Sequence, residues 1–317
     1  MLRRVRSPFS KSLAVLTIVA GMCVAIAETA PQAGQTVPSV VTSPPNQTLR
    51  VHPMVRRVRT AATPVRTAAT CVSVPVLVYH YIRVNPDPLD RLGWGLSVTP
   101  ADFQQQMDWM RIAGGHPVTL AQLFAAMQGG PPLPPHPVVL TFDDGYADFA
   151  TAAVPVLLRE GFVATDFVVS GFIGRPGYMT AAQVLQVASL GMVIGAHTVH
   201  HIDLDAVPPQ LAAIEIDASK ATLQQLLHRQ VLDFAYPYGD VDAVVADTVA
   251  AAGFRDAVTM NAGTLQCTAS RYLLYRIRVG GWDTVWSFSH NAGLASPPAG
   301  WIDPSLLEAF PAARRIR

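Results

Sequence analysis

The stretch VVLTFDDGYADF, residues 138–149, joins an apolar run to two adjacent aspartates. The run 138–142 is typical of a buried strand, and Asp143 and Asp144 follow at its end. Like charges this close disfavour each other's ionised form, and burying a carboxylate without a partner is costly. A surface turn is the simplest alternative, because Asp-Gly, here Asp144-Gly145, is a common hairpin signal. The rest of the chain has to decide between a turn and a charged site.

Around this stretch, short β-rich runs alternate with helical patterns. This alternation predicts an α/β fold with a mainly parallel sheet covered by helices, and the length available suits a single barrel. The predicted strands are residues 74–79, 138–142, 167–170, 192–196, 231–235, 257–260 and 275–279. The predicted helices are residues 101–112, 120–127, 149–160, 181–190, 210–228 and 241–252.

The ends of the chain differ in composition from this region. Four basic residues among the first eleven precede an uncharged apolar stretch, so residues 1–27 are predicted to be a signal peptide or a membrane anchor. Residues 28–70 are rich in Pro, Thr and Ala and repeat VRTAAT, which predicts a disordered linker. One catalytic domain is expected over residues 71–290, followed by a C-terminal tail over residues 291–317.

The charge and the leader restrict the partners and the location. The chain has 317 residues and a formal net charge of +1, which argues against a nucleic-acid binder. Membrane contact is expected only through an N-terminal anchor, and the protein is expected to be secreted or to lie in the cell envelope. In an exported chain Cys71 and Cys267 are candidates for a disulfide, with two free buried thiols as the alternative. The sequence leaves the oligomeric state open.

Polar side chains recur where predicted strands end. In parallel α/β barrels the active site gathers at the carboxyl ends of the strands, so these side chains are expected to share one rim. They are His80, Asp143, Asp144, His197, residues 236–239 and Arg276, the last within the final strand.

The histidines of HTVHH suggest a metal centre at this rim. His197 and His201, four residues apart, can face one ion, whereas His200 points elsewhere. Two imidazoles and one carboxylate leave an open position and favour zinc. Such a cation would also offset the repulsion between the aspartates, one binding it while the other accepts a proton from water. The alternative is that HTVHH is an ordinary polar loop.

Taken together, the motifs strongly resemble those of the polysaccharide deacetylases, which are metal-dependent carbohydrate esterases. Over roughly residues 75–285 they follow that family's order and look most like the poly-N-acetylglucosamine deacetylase branch. The resemblance implies a distorted (β/α) barrel with about seven parallel strands. The stretches that carry it are PVLVYHYI, VVLTFDDGYADF, IGAHTVHHIDL, FAYPYGD, AGFRDAV and YRIRV.

The same resemblance assigns roles to single residues. Asp143 corresponds to the catalytic base, and the metal ligands correspond to Asp144, His197 and His201. Tyr238 corresponds to a residue whose backbone N–H holds the oxyanion. Thr198 corresponds to the position that supports the two histidines.

The proton donor has to be assigned separately. The late histidine motif of many members is absent, and His290 lies in surroundings that do not match it. His80, in the YH pair of the first strand, takes the role of general acid in the branch that the chain resembles. The alternative is that His80 only packs below the rim.

Other positions depart from the family pattern. Ala235 stands where an arginine is frequent, and Arg276 either orients Asp143 or makes a salt bridge that closes the barrel. Asp166 replaces a usual aromatic residue without an evident reason. Trp94, in the Gly-flanked loop RLGWGLSV, is the best candidate for contact with a sugar.

The expected function is that of an exported enzyme with one divalent metal ion, preferably zinc, that removes N-acetyl groups from a GlcNAc-containing polysaccharide. Poly-N-acetylglucosamine, peptidoglycan and chitin-like polymers are the substrates considered. An O-acetyl esterase acting on xylan-like sugars and a non-catalytic carbohydrate-binding relic are the alternatives.

Overall fold

The computed structural model describes residues 70–87 and 89–301. The predicted leader, the predicted linker up to residue 69 and the predicted C-terminal tail beyond residue 301 lie outside these ranges. Within them, no helix is long and apolar enough to cross a membrane.

Twelve strands are described, most of them short. Seven form one curled parallel sheet in the order β10-β9-β8-β7-β6-β2-β12, and β5 pairs with β6 beside this path. This arrangement confirms the predicted α/β fold, a distorted (β/α) barrel with seven parallel strands. The strands are β1 Cys71–Ser73, β2 Val76–Tyr79, β3 Tyr81–Ile82, β4 Ser97–Val98, β5 His116–Pro117, β6 Pro137–Asp144, β7 Thr165–Val168, β8 Val193–Ala196, β9 Asp233–Ala235, β10 Asp256–Val258, β11 Leu265–Cys267 and β12 Ile277–Arg278.

The barrel closes irregularly through the segment that leads into β12. Leu274 forms a parallel bridge with Val258 of β10, and the Arg276 N–H donates to the Asn261 carbonyl. The chain then pairs with β2, with Arg278 opposite Val78. The sequence predicted Arg276 within the final strand. In the structure Arg276 lies just before that strand.

All six predicted helices form, and two more appear among the described residues. Gly161, Gly191 and Gly253 follow three helix ends with positive φ, as left-handed caps require. The helices are α1 Arg91–Leu96, α2 Pro100–Ile112, α3 Leu120–Met127, α4 Val154–Glu160, α5 Ala181–Ser189, α6 Pro209–Leu227, α7 Ala243–Ala251 and α8 Val285–Asn291.

The differences from the predicted helices have local causes. The helix predicted from residue 149 begins as a π-helical turn, Phe149–Ala153, because Pro155 has no N–H to donate to the preceding turn. RLGWGLSV, predicted as a loop, contains α1, whose start is capped by the Asp90 side chain. Helix α8 crosses the predicted boundary at residue 290, and Trp301 packs on Trp109, so the packed domain extends to residue 301.

Two apolar clusters hold the barrel together. The larger lies between the sheet and the helices and includes Leu140, Phe142 and Phe103. The smaller fills the barrel interior and includes Val139 and Phe167. Each such large side chain stabilises the fold by roughly 1.5–3 kcal/mol when fully buried.

The amino end of the barrel is covalently fastened. Strands β1 and β11 pair antiparallel with Cys71 opposite Cys267, and the two sulfurs form a disulfide. The predicted bond is confirmed. It joins positions 196 residues apart at the end of the barrel that lies away from the aspartates.

Candidate metal centre

Three side chains from two strand ends converge at the carboxyl rim of the barrel. Asp144 ends β6, and the segment after β8 carries His197 and His201. The Asp144 Oδ1 lies 3.5 Å from His197 Nε2 and 3.3 Å from His201 Nε2. One ligand atom of each residue lies within 4.8 Å of the others. The structure therefore brings together the three residues predicted as metal ligands.

The orientation of His197 suits a ligand. Its Nδ1 lies 2.7 Å from the Ala235 carbonyl oxygen, and a carbonyl can only accept a hydrogen bond. Nδ1 must therefore carry the proton, which leaves the lone pair of Nε2 facing Asp144. Ala235 stands where the family often has an arginine, and here its backbone orients the histidine.

The Asp144 carboxylate indicates that a cation fits this position. Its Oδ1 is buried and makes no hydrogen bond with other described residues. Burial raises the pKa of Asp144, and the pKa falls well below its usual range only with positive charge at His197 and His201, a charge that a bound cation would supply with both imidazoles neutral. This carboxylate oxygen accepts no hydrogen bond from the part of the chain that the structure describes and faces two imidazole nitrogens. Together the three atoms form the kind of ligand set that zinc favours.

Asp143 is held apart from this triad by Arg276. The guanidinium makes two 2.7 Å hydrogen bonds, Nη1 to Oδ1 and Nη2 to Oδ2, and both side chains are buried. Arg276 Nε also donates to the Thr259 carbonyl, so the arginine, itself in the closing segment of the barrel, connects β6 to the end of β10. Burial would raise the pKa of Asp143, but Arg276 outweighs it and the pKa is lowered. The two alternatives for Arg276, an ion pair that orients Asp143 and a salt bridge that closes the barrel, therefore describe the same contact.

The histidine segment is fixed by two side chains of different origin. The Thr198 hydroxyl accepts a hydrogen bond from the His201 N–H at 2.9 Å. Glu215 of α6 accepts from the N–H groups of Val199 and His200, at 3.0 and 2.9 Å. Its other oxygen lies 2.7 Å from His200 Nδ1, which explains why His200 turns away from the site.

Sequence analysis missed Glu215. The available signal was a carboxylate on the apolar stripe of an amphipathic helix, between Ala212 and Ser219. A charged residue is buried in such a place only when it has partners.

Backbone strain is concentrated at this centre. Left-handed φ values occur at Asp144 (79°), Thr198 (63°), His201 (55°) and Tyr238 (61°). Such conformations are costly for residues other than glycine and cluster at functional sites. The backbone therefore turns at Asp144 itself and at Gly145, where φ is 76°.

The other predicted site residues border the triad. His80 follows β2, is partly exposed, and its Nδ1 makes no hydrogen bond with the described residues. Burial lowers the pKa of His80, and the negative charges of Asp143 and Asp144 partly oppose this. The Tyr238 ring packs on His201 with 4.7 Å between ring centres.

Two singled-out residues lie away from the centre. His290 lines a pocket with Pro75 and Pro137, at the amino ends of the strands, opposite the metal site. Asp166 pairs in register with Phe142 and points to the helix-facing side of the sheet. It is fully buried, and neither of its oxygens accepts a well-formed hydrogen bond from the described part of the chain.

Comparison with known proteins gives the class of protein that this fold and site define. Residues 130–257 match the family model for polysaccharide deacetylases. The Bacillus subtilis protein YxkH, provisionally named a polysaccharide deacetylase, is 28% identical over 207 residues, which cover 65% of this chain and 71% of that protein. The Streptococcus pyogenes deacetylase PplD, solved in complex with acetate, aligns with a TM-score of 0.65 and 29% identity, covering 70% of this chain and 99% of that one.

Residues 130–257 are thus a polysaccharide deacetylase domain, a hydrolase domain of the deacetylase type. A further relative is the poly-beta-1,6-N-acetyl-D-glucosamine N-deacetylase of Escherichia coli K12, 26% identical over 211 residues. The match covers 53% of this chain and only 31% of that protein.

Proposed function

We propose that the protein is an exported, metal-dependent N-deacetylase of a GlcNAc-containing polysaccharide. The observation that carries this proposal is the convergence of Asp144, His197 and His201 beside an Asp143 carboxylate that Arg276 keeps ionised. Hydrolysis of an acetamide needs an ionised base, an acid for the departing amine and a stabiliser for the oxyanion. This rim offers a candidate for each.

The roles proposed for the protein groups combine their positions at the rim with the family resemblance. Asp143 accepts the proton of the attacking water, since each of its oxygens keeps a lone pair beyond its bond to Arg276. His80 gives a proton to the leaving amine, and the Tyr238 N–H holds the oxyanion. Asp144, His197 and His201 would hold a divalent ion, preferably zinc, which when bound supplies Lewis-acid polarisation of the acetyl carbonyl.

The polymer class is proposed from one relative. The Escherichia coli protein is named for poly-β-1,6-N-acetylglucosamine, and this chain shares the YH pair at the end of its first barrel strand with the branch that it resembles. We therefore place poly-N-acetylglucosamine ahead of peptidoglycan and chitin.

Acetate release from a panel of polymers tests this function. The panel contains poly-N-acetylglucosamine, chitin oligomers, peptidoglycan and acetylated xylan, each with Asp143→Asn as the inactive control. Release from the N-acetylated polymers is expected. Release from xylan alone would indicate an O-acetyl esterase, and no release from any of them with zinc-loaded protein would indicate a carbohydrate-binding relic.

Export is proposed from the leader pattern together with the disulfide. Disulfides persist in oxidising compartments outside the cytosol. Fractionation of cells that express the full chain is expected to place it in the envelope or the medium, with Cys71 and Cys267 unreactive towards a thiol reagent. Free cysteines in a cytosolic fraction would contradict export.

A further inference from the structure

Two tryptophans stand close together on the rim that carries the metal centre. Trp94 lies in α1 and Trp282 in the turn after β12, with 5.7 Å between ring centres and 45° between ring planes. Their exposed fractions are 47% and 52%. Exposed neighbouring aromatic rings on a folded surface commonly mark an interaction site. We name these two residues the rim tryptophan pair.

The pair lies at the same end of the barrel as the catalytic groups. In the parallel pair of β12 and β2, Arg278 lies opposite Val78. Two residues further along each chain, Gly280 therefore lies level with His80. Trp282 follows two residues later. On the other side, α1 runs directly into β4, which pairs with β3 just after His80. Both tryptophans therefore flank the side of the site on which His80 lies.

Tight backbone packing fixes the pair in place. A Cβ on Gly95 would come within 2.7 Å of the Trp282 ring, and one on Gly281 within 2.4 Å of the Trp94 carbonyl oxygen. Two short segments, GWG and GGW, thus press together so closely that only glycine fits at these contacts. The Asp283 carboxylate holds the second segment by accepting from the Gly280 N–H at 2.8 Å. The rings are held rigidly although half of their surface faces solvent.

Their hydrogen bonding also differs from that of structural tryptophans in this chain. The indole N–H of Trp109 donates to the Ala295 carbonyl, and that of Trp286 to the Pro297 carbonyl. The indole N–H groups of Trp94 and Trp282 donate to no acceptor in the described ranges. Each ring therefore offers an apolar face together with a free donor, the combination that suits a sugar ring with its C–H face and hydroxyl groups.

We infer that the rim tryptophan pair is a second carbohydrate contact, which stacks on a pyranose ring of the polymer away from the reacting acetamido group. The inference rests on the proposed polysaccharide substrate and deepens it. A polymer bound at the metal centre continues beyond the reacting unit, and the pair lies on the same rim. The enzyme would then favour long chains over short ones.

Kinetics on substrates of different length test the inference. Trp94→Ala, Trp282→Ala and the double variant are compared with wild type on an N-acetylglucosamine disaccharide and on a hexamer of poly-N-acetylglucosamine. We expect kcat/KM on the hexamer to fall roughly 5–10-fold per ring, through KM, with little change on the disaccharide. Trp286→Ala is the matched control, since its ring is 41% exposed but its N–H is bonded within the protein.

A binding measurement keeps this test separate from the proposed activity. Quenching of tryptophan fluorescence by the hexamer is measured with wild type, the variants, and Trp94→Phe and Trp282→Phe, which keep a ring if the alanine variants fold poorly. Quenching that disappears only when the pair is removed supports the site even if no acetate is released. Equal hexamer KM and equal quenching in wild type and double variant overturn the inference while leaving the deacetylase intact. Conversion of a dimer to a monomer in the variants, without a change in hexamer KM, would mean that the pair binds a second copy.

Discussion

Asp143 and Asp144 are adjacent in sequence but face different partners. A buried guanidinium faces Asp143, and two imidazoles face Asp144. The left-handed φ of Asp144 turns the backbone between them, so the two carboxylates are not forced to opposite faces as in a regular strand.

This difference predicts separable effects for the two amide variants. Asp143→Asn is expected to keep the metal and lose about 10²–10⁴-fold in rate, because the amide cannot accept a proton. It should also lower the melting temperature, because the Arg276 charge stays buried without its partner. Asp144→Asn is expected to lose metal instead. Metal analysis of both folded variants decides the matter, and equal metal contents would contradict the assignment.

Replacement of His80 tests its proposed role as the general acid. His80→Ala is expected to keep its metal and to release acetate about 10²–10⁴-fold more slowly, the usual effect of a lost general acid. His290→Ala serves as the control, because it lies at the opposite end of the barrel and should leave turnover unchanged. Near wild-type turnover in His80→Ala would mean that another group donates the proton to the leaving amine.

Asp166 gives a prediction about stability rather than catalysis. Burial raises its pKa well above the usual range, and the carboxylates of Asp143, Asp144 and Asp148 raise it further, while the Gly145 N–H opposes this only in part. An acid with a raised pKa in the folded state favours folding most at low pH. This contribution to the free energy of unfolding declines as the pH rises above about 4, the pKa of an aspartate in the unfolded chain.

Asp166→Asn removes that decline. The melting temperature of the variant relative to wild type is therefore expected to rise between pH 4 and pH 8. Asp247→Asn, an exposed site on α7, is the control and should show no such trend. A difference that stays constant over this pH range would show that Asp166 does not titrate as described.

At the scale of elements, helix α6 and the histidine segment act as one unit. Glu215 accepts three hydrogen bonds from that segment, if the His200 ring is counted as a donor. The strained φ of Thr198 and His201 is held by this contact and by the Thr198 hydroxyl. Support of this kind positions ligands without touching the metal.

Glu215→Ala is accordingly expected to weaken metal affinity about 10–100-fold, the usual effect of losing such a supporting residue. Glu215→Gln keeps an acceptor oxygen for the two backbone N–H groups and should restore much of the affinity. Competition with a chelator measures both variants. Unchanged metal affinity in Glu215→Ala would mean that Thr198 alone holds the histidine segment in place.

The elements also show what could be predicted from the sequence. The seven barrel strands and six helices were predicted because apolar periodicity and glycine caps are local signals. The spacing of His197 and His201 and the strand-end aspartates predicted a metal site, and the family resemblance singled out Asp144 as the third ligand. Helix α1 was missed because its glycines are typical of a loop, whereas Gly93 makes room for the capping Asp90 side chain and Gly95 for the Trp282 ring. Glu215 was missed because a contact across 15 residues leaves no local pattern.

For the whole molecule, the disulfide between Cys71 and Cys267 predicts a redox-dependent stability. Cross-linking residues 196 apart restricts the unfolded chain and is expected to contribute about 2–5 kcal/mol to the free energy of unfolding. A reductant should lower the melting temperature of wild type and leave that of Cys71→Ser/Cys267→Ser unchanged. Acetate release by that variant at low temperature should persist, because the bond lies at the end of the barrel away from the metal centre. Insensitivity of both proteins to reductant would contradict this contribution.

The same bond has a mechanical consequence. Tension applied to the chain before Cys71 passes through the two sulfurs to Cys267 and onward, so residues 72–266 lie outside the load path. Asp143, Asp144, His197, His201 and Glu215 belong to this unloaded loop, whereas Arg276 and Trp282 lie beyond it. Pulling on the two ends of the chain would therefore load the Arg276–Asp143 ion pair and the pairing of β12 with β2, while the metal ligands stay outside the load path.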